Sequence, residues 1–293
     1  MILRGRRGFL TSTASGIGLV ALASMFGDDG LLAADSPHDP LLPKAPHFAP
    51  KAKRCICIYL EGGPSQMDLF DPKPKLNELD GQALPESLTK TVRFAFIQKE
   101  SAKLLATPRK FAKHGQCGMD LSDLLPHLST CADDIALIRS MHTDAFNHHP
   151  GQLMMNTGVP RFGRPSMGAW LNYGLGSESR NLPGYVVLTS GRGTSGGASN
   201  WSSGFLPSTY AGVLFRNQGD PVLNLSSPAG LSRELERKSI SAIADLNREH
   251  HERMGDPEIQ SRIAAYELAF RMQAAAPELI DFAGEPKHVR DAY

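Results

Sequence analysis

Cys55-Ile-Cys-Ile-Tyr-Leu-Glu-Gly-Gly-Pro-Ser-Gln-Met-Asp-Leu-Phe-Asp71 is an apolar run that ends abruptly in glycines, acids and a hydroxyl. Residues 55–60 are apolar at nearly every position, the pattern of a parallel strand covered on both faces. Gly62-Gly63-Pro64 breaks the run, and two glycines let the backbone turn sharply and approach a ligand closely. Glu61, Ser65, Asp68 and Asp71 then offer oxygen atoms of the kind a metal-dependent site uses. In α/β proteins ligands sit beyond the carboxyl ends of strands. The passage therefore predicts an α/β fold with its chemistry at this turn, against the plainer alternative of a strand followed by an ordinary polar turn. Cys55 and Cys57, two apart, fall on one strand face as small core residues.

Working outward, Ile135–Met141 reads as a second buried strand, and the amphipathic spacing of Ser122–Ala132 as the helix before it. Between them and the first strand, residues 72–113 are polar and punctuated by Pro72, Pro74, Pro85 and Pro108, which predicts a long excursion with short helices or a hairpin. Gln152–Asn156 begins a helix that stops at Gly158, with Pro150 fitting its first turn. Residues 182–189 make a third strand. The C-terminal third is helical, from Ser232 to Met254 and again from Asp256-Pro257-Glu258, with Ile259, Ile263, Tyr266 and Phe270 on one face. This order predicts a wound α/β layer with helical cover.

The densest ligand-capable stretch is His142-Thr-Asp-Ala-Phe-Asn-His-His-Pro150, which follows a predicted strand and enters a helix. Helix N-termini favour anions such as phosphate or sulfate. Imidazoles ligate metals and move protons. The bland alternative is a polar loop that caps a helix. Both this cluster and the Glu61–Asp71 turn follow strands, so they are expected to meet at one sheet edge. Gly191-Arg-Gly-Thr-Ser-Gly196 matches a dinucleotide fingerprint, but no amphipathic helix follows it, so it reads as a flexible pocket-edge loop from which Arg192 could contact an anion. Arg248-Glu-His-His-Glu-Arg253 reads as a solvated helix face. Arg161, Arg164 and Arg180 flank glycine-rich turns and read as surface residues or carbonyl clamps.

Residues 1–34 carry Arg4, Arg6 and Arg7, Phe9-Leu10, an apolar small-residue run and Leu32-Ala33-Ala34. This is the pattern of a twin-arginine export signal, too short and too small-residue-rich for a stable membrane span. It predicts export to the periplasm or the extracellular space, with no membrane span in the mature chain. Five prolines in residues 35–53 read as an extended linker, which places the start of the fold at residue 54. The 31 basic and 30 acidic residues balance to a net charge of +1, and no basic tract lies beyond the signal, so nucleic acid is not an expected partner. The four cysteines match neither a zinc knuckle nor a disulfide scaffold.

The runs Leu60–Pro74, Ile138–Asp144, Asn147-His148, Gly163–Gly168, Tyr173–Gly176, Leu182-Pro183, Gly204–Pro207, Asp256–Glu258 and Tyr266–Gln273 together resemble an exported family known as domain of unknown function 1501. The likeness covers essentially all of residues 54–293. It implies a fold of the alkaline phosphatase and sulfatase superfamily, a sheet flanked by helices, and a metal-dependent hydrolase acting on a phosphate or sulfate ester of a small molecule or glycan. A divalent cation is implied as cofactor, whether zinc, calcium, magnesium or manganese. The expected catalytic residues are Ser65, His148 and His149, and the expected metal ligands are Glu61, Asp68, His142 and Asp144. Sulfatases place a Cys or Ser nucleophile at a helix start before a Thr-Gly pair; here Thr157-Gly158 puts His148 at that spacing, a departure from their pattern. The family continues with Trp-Asp-x-His, Glu-Phe-Gly-Arg-Thr and Asp-His-His motifs that are absent here. The resemblance thus implies an incomplete sheet and site in this chain, and makes a second polypeptide that supplies the other half an expected partner. A non-catalytic exported binding or assembly protein, or an inactive fragment, is the alternative.

Overall fold

The computed structural model describes residues 39–91, 98–191, 193–216, 221, 222, 225, 227, 230–279 and 282–292. The expected signal at 1–34 and Arg192 lie outside them. After the Gly62-Gly63 turn the chain makes one helical turn, α1 (Gln66–Leu69), with Ser65 in the capping position. Pro74 occupies the first turn of α2 (Pro74–Glu78), where its missing N–H costs nothing, and α3 (Glu86–Thr91) follows. Strands β1 (Phe111–His114) and β2 (Met119–Ser122) pair antiparallel, with Phe111 opposite Ser122 and His114 opposite Met119. The excursion over residues 72–113 thus contains short helices, as its prolines imply, and ends in the first strand of a hairpin that runs on to Ser122. The Asp133 carboxylate accepts from Gln116 N at 2.9 Å and Cys117 N at 2.8 Å, which fixes the hairpin tip.

Three expectations are corrected here. Residues 55–60 and 135–141 form no strand, and among the described residues nothing pairs with them. Their apolar side chains are open to solvent: Ile56 is 87% exposed and Ile138 64%. An apolar run signals a need for cover, but a strand exists only when a neighbour supplies hydrogen bonds across the ladder. Cys55 and Cys57 are consequently exposed rather than core residues. The helix expected over 122–132 is reduced to a 3₁₀ segment, Leu128–Asp134, bent at Cys131. Pro126 removes a backbone donor and clashes with the preceding turn, so an α-helix cannot run through it.

Helix α4 (His148–Thr157) begins at Asn147, whose side chain accepts from His148 N, and ends at Gly158 with φ 79°. That left-handed stop favours glycine. Helix α5 (Met167–Leu175) is capped by Ser166, whose Oγ accepts from Ala169 N. Residues 39–44 lie along the end of α5, with Lys44 N donating to Leu175 O, Ser177 N donating to Leu41 O, and Lys44 Nζ donating to Tyr173 O. Strand β3 (Val186–Leu188) pairs parallel with β4 (Val213–Phe215). The third expected strand is therefore present, in a sheet of two strands.

Helix α6 (Arg233–Met254) is bounded by Ser232, which accepts from Leu235 N, and by Gly255 in the left-handed region. Helix α7 (Pro257–Leu279) begins at the Asp256-Pro257-Glu258 signal, where Asp256 Oδ1 accepts from Glu258 N at 2.9 Å. The two helices pack through Ala244, Ile259 and Ile263. Phe215, Leu225 and Met272 form a second small core that ties β4 to α7. Glu258 fastens α7 to the middle of the chain by accepting from Ser208 N at 3.1 Å and Ser208 Oγ at 2.7 Å. A last turn, α8 (Lys287–Arg290), closes the described chain. The expected solvated face on α6 carries the surface ion pairs Arg248–Asp245 and Arg253–Glu249. The fold is mixed helix and sheet. Among the described residues no helix is long and apolar enough to cross a membrane.

Two backbones cross where Gly204 meets Arg164-Pro165. A Cβ at Gly204 would stand 2.3 Å from Arg164 C and 2.4 Å from Pro165 N, and its φ is 57°. Ser166 N and Oγ both donate to Ser202 O at 3.1 Å in the same crossing. Gly204→Ala is expected to lower unfolding free energy by more than about 1 kcal/mol, read from the urea midpoint. An unchanged midpoint would mean the crossing tolerates a side chain.

Candidate functional site

The site is assembled at the start of α4. Gln152 lies one helical turn after His148, so the two side chains share a face. Its amide is fully buried, and each of its polar atoms has a partner. Gln152 Nε2 donates to Ser195 Oγ at 3.0 Å; Gln152 Oε1 accepts from Gly196 N at 3.0 Å and from Asn200 Nδ2 at 2.8 Å. Asn200 Nδ2 also donates to Thr194 Oγ1 at 3.1 Å. These bonds clamp residues 194–200 to α4. Of the fingerprint-like glycines, Gly191 and Gly193 adopt positive φ and Gly196 does not, and the loop leads into a 3₁₀ turn, Gly197–Trp201, rather than the α-helix that a dinucleotide fingerprint needs.

The same loop holds Glu61. Ser195 N donates to both carboxylate oxygens at 3.2 Å. The Ser195 hydroxyl first, then the Ser195 N–H and the Gln152 amide, with His148 nearby, hold Glu61 below the usual glutamate range. An exposed carboxylate is thereby fixed in the ionised form beside an imidazole. On the other side of α4, His149 Nε2 lies 3.5 Å from Ser199 Oγ, and its ring meets Phe162 edge-on at 5.2 Å. Ser199 Oγ itself donates to Gly196 O. His149, Ser199 and Phe162 lead into a cavity of about 380 Å³ lined also by Leu153, Arg161 and Arg164.

The expected site residues fall into three places. Glu61, His148 and His149 gather around the start of α4 as described. Ser65 and Asp68 form a separate group, in which the Thr107 hydroxyl first, then the Ser65 hydroxyl, with Arg109 nearby, hold Asp68 below the usual aspartate range. His142 and Asp144 are exposed on the approach to α4, where Thr143 Oγ1 accepts from Ala145 N. Among the described residues no three His, Cys, Asp or Glu side chains converge as a metal-binding group. Glu61 and His148 are the pair brought nearest to that role. Gln152, Ser195, Asn200 and Ser199 were missed by sequence reading, because neutral amides and hydroxyls carry no motif. The position of Gln152 one turn beyond His148 was the available signal. Asn200 Oδ1 is buried without a hydrogen-bond partner among the described residues, so the network still has an acceptor to fill.

The fold and site define a mixed helix-and-sheet protein with a carboxylate, two imidazoles and a buried amide around one helix start. The family model for proteins of unknown function, DUF1501, matches residues 52–293, and the chain belongs to that family. No curated protein and no solved structure matches it significantly.

Two outcomes are expected. Gln152→Leu leaves Ser195, Gly196 and Asn200 without their partner and costs about 2 kcal/mol or more of stability in urea unfolding; a loss of a few tenths would show that the loop holds without it. For Glu61, a depressed folded pKa stabilises the fold above the ordinary carboxylate range, and this contribution is lost as pH falls through the folded value. The stability gap between the parent and Glu61→Gln is thus expected to be constant from pH 7 to about 5 and to shrink on further acidification. A gap that widens in acid would contradict the assignment.

Proposed function

We propose that this chain is an exported hydrolase-like protein of the alkaline phosphatase and sulfatase superfamily, handling a phosphate or sulfate ester of a small molecule or glycan at the start of α4. The observation that carries this reading is the convergence of an ionised Glu61, His148 and the clamped loop 194–200 beside a basic cavity. In this reading His149 takes the Ser199 hydroxyl proton as Ser199 Oγ attacks the phosphorus or sulfur, His148, with the Glu61 charge nearby, gives a proton to the leaving oxygen as the ester bond breaks, and water then releases the transferred group from Ser199. Ser199 is the hydroxyl within reach of an imidazole. Ser65 and Asp68 remain candidates for a second, separate role.

A divalent cation belongs to the proposal, with Glu61 and His148 as the donors this chain brings together. Two donors alone do not hold such an ion. Export through the twin-arginine signal at 1–34 is part of the same proposal. That no third donor joins them among the described residues favours a second reading, in which the chain binds an ester or another protein without turning it over.

The test is hydrolysis of 4-nitrophenyl phosphate and 4-nitrophenyl sulfate by the full chain, with zinc, calcium, magnesium and manganese supplied in turn. Turnover is expected with at least one cation, and His148→Ala is expected to reduce it by roughly 10²-fold or more. Turnover that persists in His148→Ala would remove the site assignment. No turnover, with no cation retained on metal analysis, would leave the binding reading standing.

A further inference from the structure

The cavity beside His149 is lined by two arginines, Arg161 and Arg164, and among the described residues no Asp or Glu contributes to its wall. Neither arginine has an ion-pair partner among the described residues. The planar donor fork of arginine matches carboxylate, phosphate and sulfate oxygens, so two such groups beside one cavity suit an anionic ligand. Apolar surface completes the wall: Leu153 is buried at its back, and the Phe162 ring, 67% exposed, stands at its rim against His149.

The segment that presents these groups is held at both ends. Upstream, Thr157 Oγ1 donates to Leu153 O at 2.8 Å and to Val159 O at 3.1 Å, which ties the end of α4 to the start of the loop. Downstream, Pro165 is fully buried and Arg164-Pro165 is pressed against Gly204. Between them Gly163 turns at φ 98°, a conformation that strains other residues. The two arginines and the phenylalanine therefore project from a short loop with fixed ends, which limits the entropy lost when they close on a ligand. The volume of about 380 Å³ lies within the range of small-molecule sites.

We infer that this cavity is a binding site for a small aryl anion, whose charged group is held by Arg161 and Arg164 and whose ring lies against Phe162 and Leu153. The inference deepens the proposed function and rests on it only for the statement that the anion is an ester; binding itself needs no turnover. Ser199, on the same wall and 3.5 Å from His149, puts the bound group next to the imidazole that would act on it.

The experiment is calorimetric titration of the full chain with phenyl phosphate, phenyl sulfate, inorganic phosphate and uncharged phenol. Phenyl phosphate or phenyl sulfate is expected to bind at least tenfold more tightly than phenol. Arg161→Gln and Arg164→Gln are each expected to weaken it by roughly tenfold or more, whereas Lys238→Gln, on α6 and outside the cavity lining, leaves it unchanged. Phe162→Ala is expected to weaken phenyl phosphate while leaving inorganic phosphate as it was. All these positions are exposed, and melting curves by circular dichroism confirm that each variant folds. Binding of the aryl anions no tighter than phenol, or unchanged in the double arginine variant, overturns the inference. Arginine-dependent binding without turnover supports the cavity and removes the hydrolase reading alone. Turnover that ignores both arginine substitutions removes the cavity alone.

Discussion

The buried amide of Gln152 is the constraint on which the site depends. A fully buried amide is costly unless every donor and acceptor is matched, and here Ser195, Gly196 and Asn200, all within residues 194–200, match it, with Glu61 beside them. Satisfying Gln152 therefore fixes where that loop lies, and the loop in turn fixes Glu61 through Ser195. A glycine-rich segment that would otherwise sample many conformations is held by hydrogen bonds radiating from a single side chain on α4. His148 and His149, at the start of the same helix, inherit their positions relative to Glu61 and Ser199 from this arrangement.

The surroundings divide the helix start into two chemically distinct sides. Toward Glu61 there is a fixed negative charge beside an imidazole. Toward Phe162 there is a cavity with fixed positive charge and apolar wall. An ester with an anionic group and an apolar body has one end suited to the cavity and its reacting atoms next to the imidazoles. The 3.5 Å between His149 and Ser199 is at the long end of hydrogen-bond distances, and catalytic hydrogen bonds commonly tighten only when substrate is bound.

How far the sequence reveals this depends on whether the signal is local. Ser232, Gly255 and Asp256-Pro257 mark helix ends by capping chemistry contained within a few residues, and α6 and α7 begin and end where those signals say. Gly158 stops α4 for the same reason. Residues 55–60 and 135–141 are a different case, because strand formation needs a partner that no local pattern can supply, and their exposed Ile56, Ile58 and Ile138 show what an unpaired apolar run becomes. In the site, Glu61 and His148 are legible as ionisable side chains next to glycines and a helix start. Gln152, Ser195 and Asn200 were not, since an amide reads as an ordinary polar residue until its burial is known. The cavity arginines were legible as residues but not as a pair, because their common wall is made when Gly204 brings a distant segment against Arg164.

The most direct test of the central claim is hydrogen exchange at the backbone amides of Ser195 and Gly196 in the intact chain, followed by nuclear magnetic resonance. The account predicts that both exchange at least about tenfold more slowly than unprotected amides, because Glu61 and Gln152 accept from them. It further predicts that Glu61→Gln speeds exchange at Ser195 while Gly196 stays protected. Exchange of both amides at the unprotected rate in the parent protein would contradict the account, since the loop would then not be clamped to α4 at all.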